Sequence, residues 1–205
     1  MSDVSPPAAP GLMRFLGALA ILGALTLVVG NIVASAVVPG HDWVADTVSD
    51  LAAGRYEIIQ DVTLYAYAAA AMALGLGLAH LHPGARGWSG AILAQMFIAL
   101  CVIVIGARNE YGDGDNDGIV IHIYVVYAMG AAYVAGFAAS ALALREAAPG
   151  LARGSWLASG LWAVGAPVFF MIGTAYDGAF ERALGIVSVA WTCAMGGWFI
   201  RLSRG

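Results

Sequence analysis

Eleven of the chain's thirteen carboxylates fall in three short stretches, Asp42 to Asp61, Glu110 to Asp117 and Asp177 to Glu181. The first, HDWVADTVSDLAAGRYEIIQD, is a polar island between two apolar runs and holds Asp42, Asp46, Asp50, Glu57 and Asp61. Charged groups this close to an apolar phase are costly, so they mark either a site or a compensated network. His41, Asp50 and His122 are the residue types of a two-histidine, one-carboxylate centre for a divalent metal. Asp50 and His122 are also the candidates for acid–base or metal-assisted catalysis, because an imidazole titrates near neutrality. The bland reading has the same residues in a structural clasp. Ser49, Asp50, Glu57, Asp61, Arg108, Asn109, Glu110, His122, Glu181 and Arg182 are the groups available to such a network.

Other chemistries are weaker. Ser49 has no base or oxyanion hole that sequence can show, and a hydrogen-bonding turn is its simpler role. Asp113 to Gly118 opens like a calcium loop, but position twelve is Tyr124 where the motif needs a bidentate Glu. Glu57 and Asp61 are four apart at the start of an apolar run, where a helix dipole alone would favour them. His80 and His82 flank a Pro-Gly turn and are expected to be exposed. No haem or nucleotide motif is present, and Cys101 and Cys193 lie inside apolar runs as small hydrophobes.

The elements that must position these groups are membrane helices. The 205 residues are 61% hydrophobic and 11% charged, whereas soluble domains are about a quarter charged. A net charge of −4 argues against a nucleic-acid surface. Met1 to Gly11, with three prolines and no apolar period, reads as a disordered leader, and residues 12–202 as one six-helix transmembrane domain. The expected spans are Phe15 to Val38, Ile58 to Ala79, Trp88 to Gly106, Ile119 to Leu144, Trp156 to about Ala175 with a kink at Pro167, and Ala183 to Ile200. Small residues at four-residue spacing (Ala69, Ala73, Gly77; Ala132, Gly136, Ser140) predict close helix packing. Trp43, Trp88, Trp156, Tyr111 and Tyr176 fall where aromatic rings anchor at an interface.

All nine basic residues are arginine. Arg14, Arg86, Arg145, Arg153, Arg201 and Arg204 fall on one side of a six-span chain, and Arg55, Arg108 and Arg182 on the other. The positive-inside rule then places both termini in the cytoplasm and the acidic stretches outside.

Thr47-Val48-Ser49-Asp50-Leu51 after the first span resembles the S-D-L-G loop of a bacterial six-helix family, domain of unknown function 998. The polar Arg108-Asn109-Glu110, His122 at the start of span four and Glu181-Arg182 before the last span follow that family's order, with Ala52 where it usually has Gly. The resemblance implies an all-α, multi-pass protein of the bacterial cytoplasmic membrane and points to Asp50, His122, Glu181 and Arg182. It implies no reaction. Two functions remain in view: a non-catalytic protein that binds a lipid or small molecule or supports a membrane partner, and a metal-assisted hydrolase or transferase acting on a lipid headgroup. Arg108, Glu181 and Arg182 are expected to meet the Ser49-Asp50 loop in either case.

Overall fold

A computed structural model describes residues 8–107 and 121–204. Six helices carry them: α1 (Pro10–Val37), α2 (Glu57–Leu81), α3 (Trp88–Ala107), α4 (His122–Leu144), α5 (Pro149–Phe169) and α6 (Asp177–Leu202). Two 3-10 turns, Ser49–Ala52 and Gly54–Tyr56, lead into α2, and there is no strand among the described residues. Five helices, all but α5, are long and apolar enough to cross a membrane. In α5, Arg153, Ser155, Ser159, Pro167 and four glycines dilute the apolar residues.

Helix boundaries follow local chemistry. Proline is tolerated at a first helical position, where its missing N–H would have no partner, and both α1 and α5 start that way. The expected fifth span is displaced accordingly. It begins at Pro149 rather than Trp156 and ends at Phe169 rather than Ala175. Pro167 therefore lies in the last turn of α5, where it helps to terminate the helix. Likewise α1 begins at Pro10, inside the stretch expected to be a leader.

Short connections force sequential helices to pack side by side. Each helix packs on its chain neighbour, and α6 returns to α1 and closes the ring, with a lesser α2–α6 contact across it. The seam between α5 and α6 is the least extensive of the six. Where α1 and α6 cross, a Cβ on Gly17 would sit 2.5 Å from the Gly196 carbonyl, so only glycine permits that approach. Both predicted small-residue ridges are used, Gly77 against Phe199 of α6 and Gly136 against Ala94 of α3.

The outside of the ring is apolar: Leu22, Leu93, Leu157, Val164 and Ile186 are each more than 60% exposed. The half of the bundle near the chain termini is filled by Leu74, Leu78, Phe137, Met195, Trp198 and Phe199. Trp191 donates to Ser155 Oγ at 2.8 Å and pins α6 to α5 in that half. Trp88, expected at an interface, is instead 1% exposed. The described residues leave the opposite half unfilled.

Candidate functional site

The segment from His41 to Ala52 folds on itself through its own carboxylates. Asp42 Oδ1 accepts the N–H groups of Val44 and Ala45 at 2.8 and 3.3 Å, and these bonds hold its carboxyl below the usual aspartate range. Asp46 Oδ2 accepts the Asp42 N–H at 2.7 Å. Asp50 Oδ2 accepts both the N–H and the hydroxyl of Thr47, at 2.7 and 2.9 Å. Short polar side chains that bond nearby N–H groups favour turns over helix, so this stretch does not extend α1 or α2.

The folded loop is strapped across the first turn of α6. The N–H groups of Gly178 and Ala179, which a helix start leaves without partners, donate to the carbonyls of Ala45 and Val44 at 3.3 and 2.9 Å. Any Cβ at Gly178 would run into the Asp46 carbonyl. Glu181 Oε2 accepts the Val48 N–H at 2.6 Å.

Arg182 is the hub. Its side chain donates to Asn31 Oδ1 (3.1 Å), to the carbonyls of Trp43 (3.0 Å) and Asp46 (2.7 Å), and to His41 Nε2 (2.9 Å). The guanidinium also lies 4.4 Å from the centroid of the Trp43 ring, a cation–π contact. Because Arg182 has only donors, His41 Nε2 must be unprotonated and its proton must sit on Nδ1, facing Asp46 Oδ2 at 3.4 Å. Burial first, and the neighbouring Arg182 charge second, hold the His41 pKa below 6.5.

The loop meets Glu181 and Arg182 mostly through its backbone, by the N–H of Val48 and the carbonyls of Trp43 and Asp46. His122 is brought to Ser49, with Nε2 3.5 Å from Oγ. The proposed metal trio does not gather: His41 Nε2 is turned to a cation, which opposes a second positive charge there. Among the described residues no three His, Cys, Asp or Glu groups are placed to hold a metal. Glu57 is exposed, Asp61 is half-buried, and neither lines the cavity described next. Arg108, Asn109, Glu110, Tyr111 and the Asp113 to Gly118 run lie outside the described residues.

Beneath the loop is a cavity of about 400 Å³ lined from all six helices. Trp43, Ser49, His122, Glu181 and Arg182 form its mouth, and its walls are mainly aliphatic and aromatic. Tyr67 and Tyr133 line its deeper part, where the Tyr133 hydroxyl donates to that of Tyr67 at 3.0 Å and the Tyr133 ring stacks on Trp162 at 4.3 Å. Ile186 and Ile32 line the cavity yet are 62% and 53% exposed, so it also opens sideways to the outside of the bundle.

Three lining groups that sequence reasoning missed are Asn31, Trp162 and Ser188. Each residue is more than 90% buried, and Asn31 Nδ2, Trp162 Nε1 and Ser188 Oγ make no well-formed hydrogen bond to a described residue, although Ser188 Oγ lies within reach of the Tyr67 and Tyr133 hydroxyls. A lone asparagine inside the charge-free first span was the available signal for the first of them.

The model of a family described as a protein of unknown function, DUF998, matches residues 21–198. The chain belongs to the DUF998 family. The loop clasp and the cavity lie wholly inside the part that matches DUF998. No curated protein and no solved structure matches the chain.

Proposed function

We propose that this DUF998 protein crosses a bacterial cytoplasmic membrane six times, with both termini inside, and holds an amphiphile in its cavity beneath the outer loop. The observation that carries the binding role is the cavity itself, apolar along its walls, polar at its mouth and open sideways beside Ile186. A lipid-soluble molecule reaches such a site from the bilayer without crossing water. The arginine distribution supports the orientation, and the place of α5 in a ring whose other five members are membrane-length supports reading it as the remaining span.

Solvent extraction of protein purified in mild detergent should release about one amphiphile per chain. Gly185 lines the cavity, and a Cβ there would meet nothing within 4 Å, so Gly185→Leu adds bulk to the cavity. That variant should lose the amphiphile and keep the fold. An equal yield from Gly185→Leu would sink the proposal. For orientation, cysteines introduced at Gly84 or Gly150 should resist an impermeant reagent in intact cells, and their labelling would reverse the topology.

The second reading is a metal-assisted hydrolase or transferase acting on a lipid headgroup, centred on His122 and Asp50. Its support is the placement of His122 against Ser49 at the cavity mouth. Stoichiometric Zn, Mn or Fe in the wild type, lost in both His122→Ala and Asp50→Asn with the fold retained, would establish it. Failure of those variants to fold, without metal in the wild type, would leave the residues as a clasp.

A further inference from the structure

Resting on the amphiphile-binding reading, we propose that the occupant is a prenyl quinone, held by its ring carbonyls deep in the cavity rather than by a charged headgroup at the mouth. The first observation is a set of cavity-lining polar groups that the described residues leave unpaired. Asn31 Nδ2 and Trp162 Nε1 can only donate, and Ser188 Oγ can donate. They come from α1, α5 and α6, on different walls of one cavity. Buried polar groups are almost always hydrogen-bonded, so several orphans facing one apolar space call for a ligand with acceptors.

Depth separates Trp162 and Ser188 from a lipid headgroup, whereas Asn31, whose Oδ1 accepts from Arg182 Nε at 3.1 Å, stands just inside the mouth. Asn31 lies six residues before the end of α1, and Trp162 seven before the end of α5, about 9–10 Å along their axes. Ser188 is eleven residues into α6, about 16 Å. A plain acyl chain at those levels would leave Asn31 Nδ2 and Trp162 Nε1 without partners and offer Ser188 only the tyrosine hydroxyls beside it. An anionic headgroup at the mouth would find four of the five Arg182 N–H groups already committed and the Glu181 carboxylate beside it. The occupant is therefore uncharged and carries its acceptors between Asn31, just inside the mouth, and the deeper level of Trp162 and Ser188.

Shape narrows the class further. Tyr133 and Trp162 form a stacked aromatic wall, and Gly130 and Gly185 contribute no side chain to the lining. This leaves room for a flat ring at the level of the orphan donors. Among uncharged membrane-soluble molecules, a prenyl quinone has two carbonyl acceptors across a flat ring and an entirely apolar tail. The opening beside Ile186, nine residues into α6, gives that tail a lateral way out to lipid.

The test uses the full chain in phosphatidylcholine nanodiscs and decylubiquinone as the probe, with retained quinone measured by its reduced-minus-oxidised absorbance after desalting. Wild-type protein should retain it saturably, to one per chain. Trp162→Phe keeps an aromatic ring and removes the donor, and with Ser188→Ala it should weaken retention about tenfold while leaving the thermal midpoint nearly unchanged. Gly185→Leu should abolish retention. Gly160→Leu should not, because Gly160 is exposed and does not line the cavity. Retention unaffected by the Trp162→Phe/Ser188→Ala pair would overturn the assignment of the donors. No quinone retained, with a glycerolipid held in a Gly185-dependent way, would overturn the quinone and leave the amphiphile-binding reading intact. Neither held would overturn both.

Discussion

Arg182→Ala is the perturbation whose consequences follow most directly from the geometry. The residue is 7% exposed, and its loss removes four hydrogen bonds and a cation–π contact between α6, α1 and the loop. Asn31 Oδ1 would be left without its donor on a residue only 8% exposed, so water cannot readily replace it. The Trp43 and Asp46 carbonyls belong to a partly exposed loop and would recover some hydration, which moderates the penalty. Removing one partner from a desolvated charged network costs about 3–5 kcal/mol, and partial rehydration places this case toward the lower end. For a chain of this length that is a fall in thermal midpoint of about 6–15 °C. Arg182→Lys should recover only part of it, because an ammonium lacks the planar fork that reaches two carbonyls and two side chains at once. Intrinsic tryptophan fluorescence during heating of the purified protein is a suitable assay. A midpoint for Arg182→Ala within about 2 °C of wild type would refute the clasp as a stabilising element.

Three further outcomes are expected. Because the folded His41 pKa is depressed below 6.5, the unfolded chain takes up the proton first, so stability should fall as pH drops below about 6.5, and His41→Gln should flatten that dependence of the thermal midpoint. Gly178→Ala should push the loop off α6, costing about 1–3 kcal/mol and raising protease sensitivity between residues 41 and 52; an unchanged digestion pattern would argue against the close approach. Ser49→Ala should shift stability by less than about 1 kcal/mol, since 3.5 Å is at the limit of a hydrogen bond, and a much larger loss in denaturation would show a tighter Ser49–His122 contact.

The helices were legible because long charge-free runs leave few alternatives, and the small-residue ridges correctly marked close packing. Helix α5 was misplaced because its glycines, serines and tryptophans blur the apolar run, although Pro149 was a usable start signal. The meeting of the first loop with Glu181 and Arg182 was also readable from residue types. Its mode was not, since Arg182 binds the Trp43 and Asp46 carbonyls and backbone acceptors leave no mark in a sequence. Carboxylates drew attention to Glu57 and Asp61, which sit apart from the cavity, whereas Asn31, Trp162 and Ser188 looked like ordinary members of apolar helices. What distinguishes those three is a missing partner, a property of packing across helices far apart in the chain.

The central claim is that the cavity beneath the clasp is a binding site, and native mass spectrometry of the protein released from mild detergent tests it most directly. The wild type and Gly160→Leu should fly with about one retained amphiphile per chain, and Gly185→Leu should fly bare. An identical adduct pattern for all three, or no adduct on any, would contradict the account.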